Sequence, residues 1–275
     1  MITHLQYDRR YELIVGDVLI TEPQISFKVE RSLDPIPNKL EIVVFNLNNE
    51  TRSRLEKAKK PTVQLSAGYA QKTGVLFLGE AASIRSYPRR PEWLTEISGG
   101  DSESALAESR VNLSFGPGTD FATAVVKVAE SMGKVGIGNL KKAIEKATLV
   151  KGSKSFKKGV TVSGPSKKEL DRLLLAAGLQ WSVQSGQLQV LDTNRTLSTT
   201  AIILSSETGL IEALVDSDGT LEFTCLLNPD IVPGRQVVLQ SRSVSGYWRC
   251  ESVSYSGDRD GADWYCRGYA RLLRQ

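Results

Sequence analysis

Histidine is nearly absent from this sequence of 275 residues: the one histidine is His4, in a polar N-terminal stretch. Ser-His-Asp and Cys-His catalysis in their usual forms would have to rely on that single side chain. The sequence also has no HExxH motif and no Cys/His cluster, which are common signatures of zinc sites. We therefore expect no catalytic residue, no cofactor and no metal ion.

Cysteine is scarce as well. Cys225, Cys250 and Cys266 are odd in number and have no CxxC spacing, so we expect three reduced, half-buried strand residues rather than a disulfide framework.

The longest apolar runs, such as residues 201–204, fall far short of the roughly 20 apolar residues of a membrane-spanning helix. Residues 1–10 lack the apolar stretch of a secretory signal. We expect synthesis in the cytoplasm, use without export and no membrane insertion.

The first hundred residues carry the patterning of β-strands, with alternating apolar and polar side chains and turns rich in proline. The strand candidates are residues 24–30, 40–45, 63–69, 75–87 and 93–98. A short charged helix starts near Asn49. A small antiparallel sheet curled into a barrel is the economical arrangement, because closure removes exposed strand edges.

The pattern changes to a helical period after residue 100. Four apolar residues share one helical face: Phe121, Val125, Val128 and Met132. Thr119 or Asp120 is a candidate N-cap for this helix, and a second amphipathic segment covers residues 140–150. Residues 160–191 then read as a strand, a helix and a hairpin with its turn at Ser185-Gly186, a βαββ unit. We predict a mixed α/β domain over residues 101–192.

Strand patterns return after the polar run at residues 192–200. The strand candidates are residues 201–204, 220–227, 236–241, 247–255 and 264–272. Their spacing suits a second small barrel or sandwich. The predicted fold class is therefore mainly β (α+β), with two small antiparallel β-barrels, at residues 1–100 and 193–275, flanking an α/β insertion.

Three further patterns have both a plain and a functional interpretation. Residues 133–138 are rich in glycine but lack the spacing of a phosphate-binding loop, which favours a flexible connection. Residues 257–263 resemble part of a calcium loop, but the twelfth position counted from Asp258 is Tyr269 rather than glutamate, which favours a hairpin turn. A glycosidase would need one carboxyl group in an apolar pocket, whereas the acidic residues here lie beside turns or alternate outward.

The order of these elements resembles that of known proteins. Residues 25–79 read as a strand, a Pro turn, a strand ending in Phe45-Asn46-Leu47, a short charged helix and a strand into Ala67-Gly68-Tyr69. The C-terminal part adds Thr208-Gly209-Leu210, then Leu226-Leu227-Asn228-Pro229, then Pro233-Gly234, then Gly257-Asp258 with Trp264. Together these blocks resemble phage tail baseplate hub proteins of the late control protein D type, over about half of the chain.

This resemblance implies an assembly role in the virion. Such hubs carry two tail-tube-like barrels in each subunit, and three subunits form a ring that adapts the six-fold tail tube to the three-fold central spike. The implied partners are two further copies of the chain, the tail tube or distal tail protein, the spike, the tape-measure protein and other baseplate proteins, with DNA as passing cargo. The chain is short for a hub, so reduced peripheral domains are expected.

Two kinds of contact site follow from this first hypothesis. Edge strands at residues 25–30 and 247–255 would pair between subunits. The plain interpretation of the basic stretch 141–168 is a solvated surface, and in an assembly it would dock on an acidic neighbour. The candidate residues are Phe27, Val29, Tyr247, Arg249, Lys154, Lys157 and Lys158.

A second hypothesis stays open. The chain could be a monomeric β-rich binding module or hydrolase that contacts nucleic acid or another anionic polymer through the lysines of its middle region. A net charge of only +4, with Phe156 as the sole aromatic residue among the loop lysines, argues against it.

Overall fold

The computed structural model describes residues 7–133, 135–151, 155–192, 195–197 and 200–273. His4 and Lys154 lie outside the described residues. The chain divides into two compact units. Unit 1 combines residues 1–31, 38–100 and 197–275, and unit 2 combines residues 32–37 and 101–196.

Seventeen strands and five α-helices make up the described structure. The strands are β1 (Arg9–Val15), β2 (Val18–Ile20), β3 (Ile25–Ser32), β4 (Lys39–Phe45), β5 (Thr62–Tyr69), β6 (Lys72–Arg89), β7 (Glu92–Gly100), β8 (Arg110–Phe115), β9 (Val160–Pro165), β10 (Leu179–Gln184), β11 (Gln187–Asp192), β12 (Ile202–Ser205), β13 (Leu210–Val215), β14 (Thr220–Leu226), β15 (Gln236–Gln240), β16 (Ser245–Asp258) and β17 (Trp264–Leu272). The helices are α1 (Asn49–Lys57), α2 (Glu103–Glu108), α3 (Phe121–Glu130), α4 (Leu140–Lys151) and α5 (Ser166–Ala176). The mainly β class is confirmed.

Unit 1 is one sheet of thirteen strands. Its main path runs β13-β14-β17-β16-β3-β4-β7-β6-β5-β1-β2, and β15 pairs with both β12 and β16. Neighbouring strands such as β1 with β5, β4 with β7, β14 with β17 and β16 with β17 pair antiparallel, whereas β12 and β15 pair parallel. Because β3 and β16 are neighbours, the strands before and after the α/β insertion belong to the same sheet. The path is open in the described residues, so closure into two barrels stays a prediction, as does the division into three domains.

One hydrophobic core serves both parts of this sheet. It contains side chains from the first hundred residues, such as Phe27 and Leu65, together with Phe223 and Trp264 from the last eighty. Alternation places them there: along β3 the side chains of Ile25, Phe27 and Val29 are buried while the residues between them are not. The three cysteines on β14, β16 and β17 belong to this core and are free.

The prediction that the cysteines are half-buried is wrong, because all three are fully buried. Each sits at an inward position of a strand with neighbours on both sides, and Cys225 lies directly opposite Cys266. Burial raises the pKa of the Cys250 thiol well above its usual range.

Unit 2 follows local sequence signals closely. The predicted βαββ unit is present as β9, α5, β10 and β11. Ser185 and Gly186 both have positive φ, 53° and 73°, as the two-residue turn of a β-hairpin requires. Helix α3 begins after Asp120, whose side chain accepts a hydrogen bond from the Thr123 backbone N–H at 2.9 Å. A separate core forms around the buried Trp181 and Leu174. No helix in the described ranges is long and apolar enough to span a membrane.

Candidate assembly surfaces

The strands predicted to be free edges lie inside the sheet, so that prediction is wrong. β3 has β4 on one side and β16 on the other. β16 is long enough to pair with β15 through residues 245–249, with β17 through residues 248–257, and with β3 as well. Their backbone groups are engaged within the subunit, which leaves them unavailable for strand pairing between subunits.

The side chains proposed on β3 point into the core. Val29 is buried, and the ring of Phe27 packs edge-to-face against Trp264 with centroids 5.4 Å apart. Gly257 makes this contact possible, because a Cβ atom there would lie 2.3 Å from Cζ of Phe27. Phe27 and Val29 therefore stabilise unit 1 and are not available to a neighbouring subunit.

The two residues proposed on β16 differ in exposure. The Tyr247 side chain is exposed, at 47% of its full accessible surface. Arg249 is buried, and its Nη2 and Nε atoms lie 2.6 and 2.8 Å from Oε1 of Glu251. Arg249 therefore has a partner within the subunit, and only Tyr247 of this pair presents a surface.

Of the three lysines predicted to form a docking surface, two lie in the described residues. Lys157 and Lys158 are exposed in the segment that leads into β9. Phe156, next to them, packs against Phe115 and Phe121 with ring centroids 6.5 and 5.8 Å away. Its ring is partly buried and packs against the unit 2 core, which weakens the case for a platform that stacks bases. A docking role for Lys157 and Lys158 stays a prediction.

The turn at residues 258–263 is held by an arginine from the far end of the chain. Nη1 of Arg9 donates to the backbone oxygens of Asp258 at 2.8 Å and Gly261 at 2.6 Å, and Nη2 donates to Ala262 O at 3.2 Å. Oδ1 of Asp258 accepts from the N–H groups of Asp260 and Gly261. The interpretation as a hairpin turn is confirmed, and the described residues contain no acidic or Cys/His group suited to a metal ion.

Further contacts in unit 1 join the part of the chain before the α/β insertion to the part after it. Nε1 of Trp264 donates to Gly68 O at 3.2 Å, and Lys72 forms an ion pair with Asp230. The Arg259 guanidinium donates to Glu22 O, and its backbone N–H donates to Ile25 O at 3.0 Å. We call these contacts, together with those of Arg9 and Phe27, the seam. The seam holds together two chain segments that lie about 200 residues apart in the sequence.

The sheet has other free ends, which the sequence patterns did not identify. β13 pairs only with β14, and β2 pairs only with β1, among the described strands. Neither β13 nor β2 was among the predicted strands. The segment Leu-Ile-Glu-Ala-Leu-Val of β13 lacks strict alternation and contains good helix formers, so periodicity gives no strand signal there. The lack of lysine and arginine from residue 196 to residue 234 would have marked this region as distinct.

Comparison with solved structures places the fold among tail proteins. The 43 kDa tail protein of prophage MuSo2 from Shewanella oneidensis matches with a TM-score of 0.68 at 11% identity, over 97% of each chain. A tail protein from Neisseria meningitidis MC58 matches with a TM-score of 0.66 at 12% identity, over 96% of each chain. The E. coli c3393 protein, described as a type VI secretion component similar to T4 tail proteins gp27 and gp5, matches with a TM-score of 0.64 at 14% identity, over 96% of this chain and 77% of its own.

At these identities the structural matches establish the fold alone. No curated protein matches the sequence. The family model described as Baseplate hub gp41, however, matches residues 5–268, which is nearly the whole chain. The resemblance to phage tail baseplate hubs is thereby confirmed, and the chain belongs to the baseplate hub gp41 family.

Proposed function

We propose that this protein is a structural subunit of a three-fold hub ring that links the tail tube to the central spike of a phage baseplate. Membership of the baseplate hub family carries this proposal. The architecture of unit 1 supports it, because the β regions from both ends of the chain share one sheet and one core. Three such subunits would present six β regions to a six-fold tube and three equivalent positions to a three-fold spike.

The seam gives this role a physical basis. A subunit that adapts one symmetry to another must hold its two β regions in fixed register under load. Edge-to-face packing of Phe27 on Trp264, and the three backbone acceptors of Arg9, join those regions without a flexible linker between them. The partners we propose are the tube or distal tail protein, the spike, the tape-measure protein and other baseplate proteins, with DNA passing through the ring.

We propose that the role is non-catalytic. The three thiols are buried, and burial holds the pKa of Cys250 far above the range in which a thiolate forms. The carboxylate of Glu222 accepts a hydrogen bond from the Tyr269 hydroxyl and lies 3.9 Å from Nε of Arg267, which is a polar setting unlike the apolar pocket around the acid of a glycosidase. The binding-module alternative is less well supported, because the ring of Phe156 is engaged with Phe115 and Phe121.

Particle mass tests this function most directly. Light scattering and electron-microscope class averages would be collected on the protein alone and on its mixture with the products of the adjacent genes. We expect a three-fold ring of about 90 kDa, three times the chain mass of 30.1 kDa, in at least one of these samples. A persistent monomer in every sample would overturn the proposal, and salt-sensitive binding of that monomer to DNA would then support the binding module.

A further inference from the structure

Three strands of unit 1 have one strand partner each in the described residues: β2, β12 and β13. They differ in what they expose. The side chains of β12 are half-buried or buried. On β13, in contrast, Ile211 is 56% exposed and Leu214 is 58% exposed, and on β2 Leu19 is 61% exposed. The two ends of the main strand path are therefore the apolar ones.

An exposed edge strand with large apolar side chains is unusual for a protein that stays a monomer. Edges are normally protected by lysine, proline or a pronounced bulge, because unpaired N–H and C=O groups invite a strand from another chain. β13 contains one register shift, between Leu210 and Glu212, but neither lysine nor proline. The exposed edge of β13 therefore has the features expected of a strand that pairs with a strand from another chain.

The surroundings of β13 are acidic. Four exposed carboxylates lie on β13 or in the turns that flank it: Glu207, Glu212, Asp216 and Asp218. The whole segment from residue 196 to residue 234 contains no lysine and no arginine. A strand that docks here would gain from basic side chains beside it.

The opposite end of the sheet has that basic character. The turn before β2 is fixed to the start of β5, since Gly16 N donates to Thr62 O at 2.8 Å. The same turn is tied to α1, because Asp17 forms an ion pair with Arg54. Lys57, Lys59 and Lys60 are exposed in this region. Residues 48–60 contain five basic and two acidic side chains.

We infer that the β13 end of one copy docks on the β2 end of the next copy, head to tail. The two ends are complementary in charge and both expose apolar side chains at a strand edge, and they lie at opposite ends of one sheet. A contact between two different surfaces of the same chain is heterologous, and heterologous contacts close into rings when the rotation permits. The inference rests on the proposed ring function and names the surfaces that would form it.

Cross-linking distinguishes this contact from other arrangements. Leu19→Cys and Leu214→Cys chains, each with a different affinity tag, would be co-expressed and treated with a short thiol-reactive cross-linker. Both positions are exposed, so the fold should persist, and the buried native cysteines should not react. We expect a product that contains one chain of each kind, and no product from either variant alone. A Leu214→Cys chain linked to a copy of itself would indicate pairing of two β13 strands and would overturn the inference.

Charge reversal supplies a second readout. The pair Glu212→Lys and Asp216→Lys should raise the ring dissociation constant at low salt about tenfold or more, as should Lys59→Glu with Lys60→Glu, because like charges would face each other. Mixing the two double variants should restore assembly between unlike chains. Arg89→Glu with Arg90→Glu, an equal charge change at two exposed positions where β6 ends and its turn begins, is the matched control and should leave the ring intact.

The two proposals fail in different ways. If the wild-type chain forms a three-fold ring that survives both reversals and gives no mixed cross-link, the edge assignment is wrong and the hub function stands. If the wild-type chain forms no ring in any sample, both proposals are wrong.

Discussion

Units 1 and 2 differ in composition as much as in fold. All eight tyrosines and all three cysteines belong to unit 1, and unit 2 has neither. Unit 1 has 21 basic and 21 acidic residues, whereas unit 2 has 14 basic and 10 acidic, so the net charge of +4 comes entirely from unit 2. Thiol exposure and tyrosine ionisation therefore report on unit 1 alone, which allows the two units to be followed separately.

The units also differ in how the chain builds them. In unit 2, β10 and β11 form a local hairpin and α5 directly follows β9, while the longest strand pairing, β8 with β9, joins residues 45 to 55 positions apart, such as Phe115 with Val160 and Arg110 with Pro165. Unit 1 closes its seam between residues about 200 positions apart, such as Gly68 and Trp264. Long-range contacts must offset a larger loss of chain entropy before they contribute stability. We therefore expect the stability of unit 1 to depend strongly on a few side chains at the seam, and the stability of unit 2 to depend on contacts over shorter sequence distances.

Removal of the central seam side chain should have the largest effect. Trp264→Ala deletes a fully buried indole that packs on Phe27 and donates to Gly68 O. We expect the free energy of unfolding of unit 1 to fall by about 3–5 kcal/mol. Denaturant titration with a thiol reagent would measure it, since Cys225, Cys250 and Cys266 react only when unit 1 opens.

Two matched tryptophan variants sharpen that result. Trp93→Ala removes an exposed ring that stacks under Arg52, and should change thiol protection little. Trp181→Ala deletes a buried ring of unit 2 whose Nε1 donates to Asp171, and should destabilise unit 2 while the thiols stay protected. Loss of thiol protection in Trp181→Ala equal to that in Trp264→Ala would show that the units unfold as one.

Arg9 should contribute less than Trp264, because it lies at the partly exposed rim of the seam. Arg9→Ala leaves the backbone oxygens of Asp258, Gly261 and Ala262 without this donor. We expect a loss of about 1–2 kcal/mol in unit 1, near the lower end of the values for hydrogen bonds to charged groups, because the site is partly exposed to water. Arg9→Lys keeps the charge but not the forked geometry, so recovery of full stability by Arg9→Lys would show that charge alone matters.

The seam and the free edges mark the limit of what the sequence predicts. Local signals identified β9, α5, β10 and β11, because alternation, capping and a Ser-Gly turn act over a few residues. The sequence also predicted β3 as a strand, but it did not indicate which strands lie on either side of β3 in the sheet. Which strand lies beside β3 depends on residues such as Trp264, whose partner Phe27 is more than 200 positions away. That information is absent from any local window.

The candidate surfaces show the same limit. Buried Val29 and exposed Tyr247 both fit a strand pattern, and periodicity does not reveal which strands end a sheet. β13 was missed because Leu, Glu and Ala favour helix in the absence of a neighbouring strand. Only its unusual lack of basic residues distinguished that segment in the sequence.

Alkaline pH should weaken unit 1 selectively. Burial raises the pKa of Tyr11 and of Tyr69 from 10 to about 12. The folded state therefore holds these protons more tightly than the unfolded state, so their contribution is fully present below pH 10 and is lost as the pH rises from 10 through 12. The decline would be measured as the change, between pH 8 and pH 11, in the urea concentration at which half of the thiol protection is lost. Tyr11→Phe with Tyr69→Phe should make that decline shallower; an unchanged decline would exclude these two tyrosines as its cause.

Helix capping offers the smallest and best-matched comparison. Oδ1 of Asn48 accepts from Thr51 N at 2.7 Å to begin α1 in unit 1, and Oδ2 of Asp120 accepts from Thr123 N at 2.9 Å to begin α3 in unit 2. Each change to alanine should cost about 1 kcal/mol. Hydrogen exchange measured on peptides from both units should show faster exchange only in the unit that lost its cap. Asp120→Ser and Asn48→Ser retain a capping oxygen and should restore most of the protection. If Asn48→Ala speeds exchange in both units alike, the units share one cooperative transition and the comparison between them does not hold.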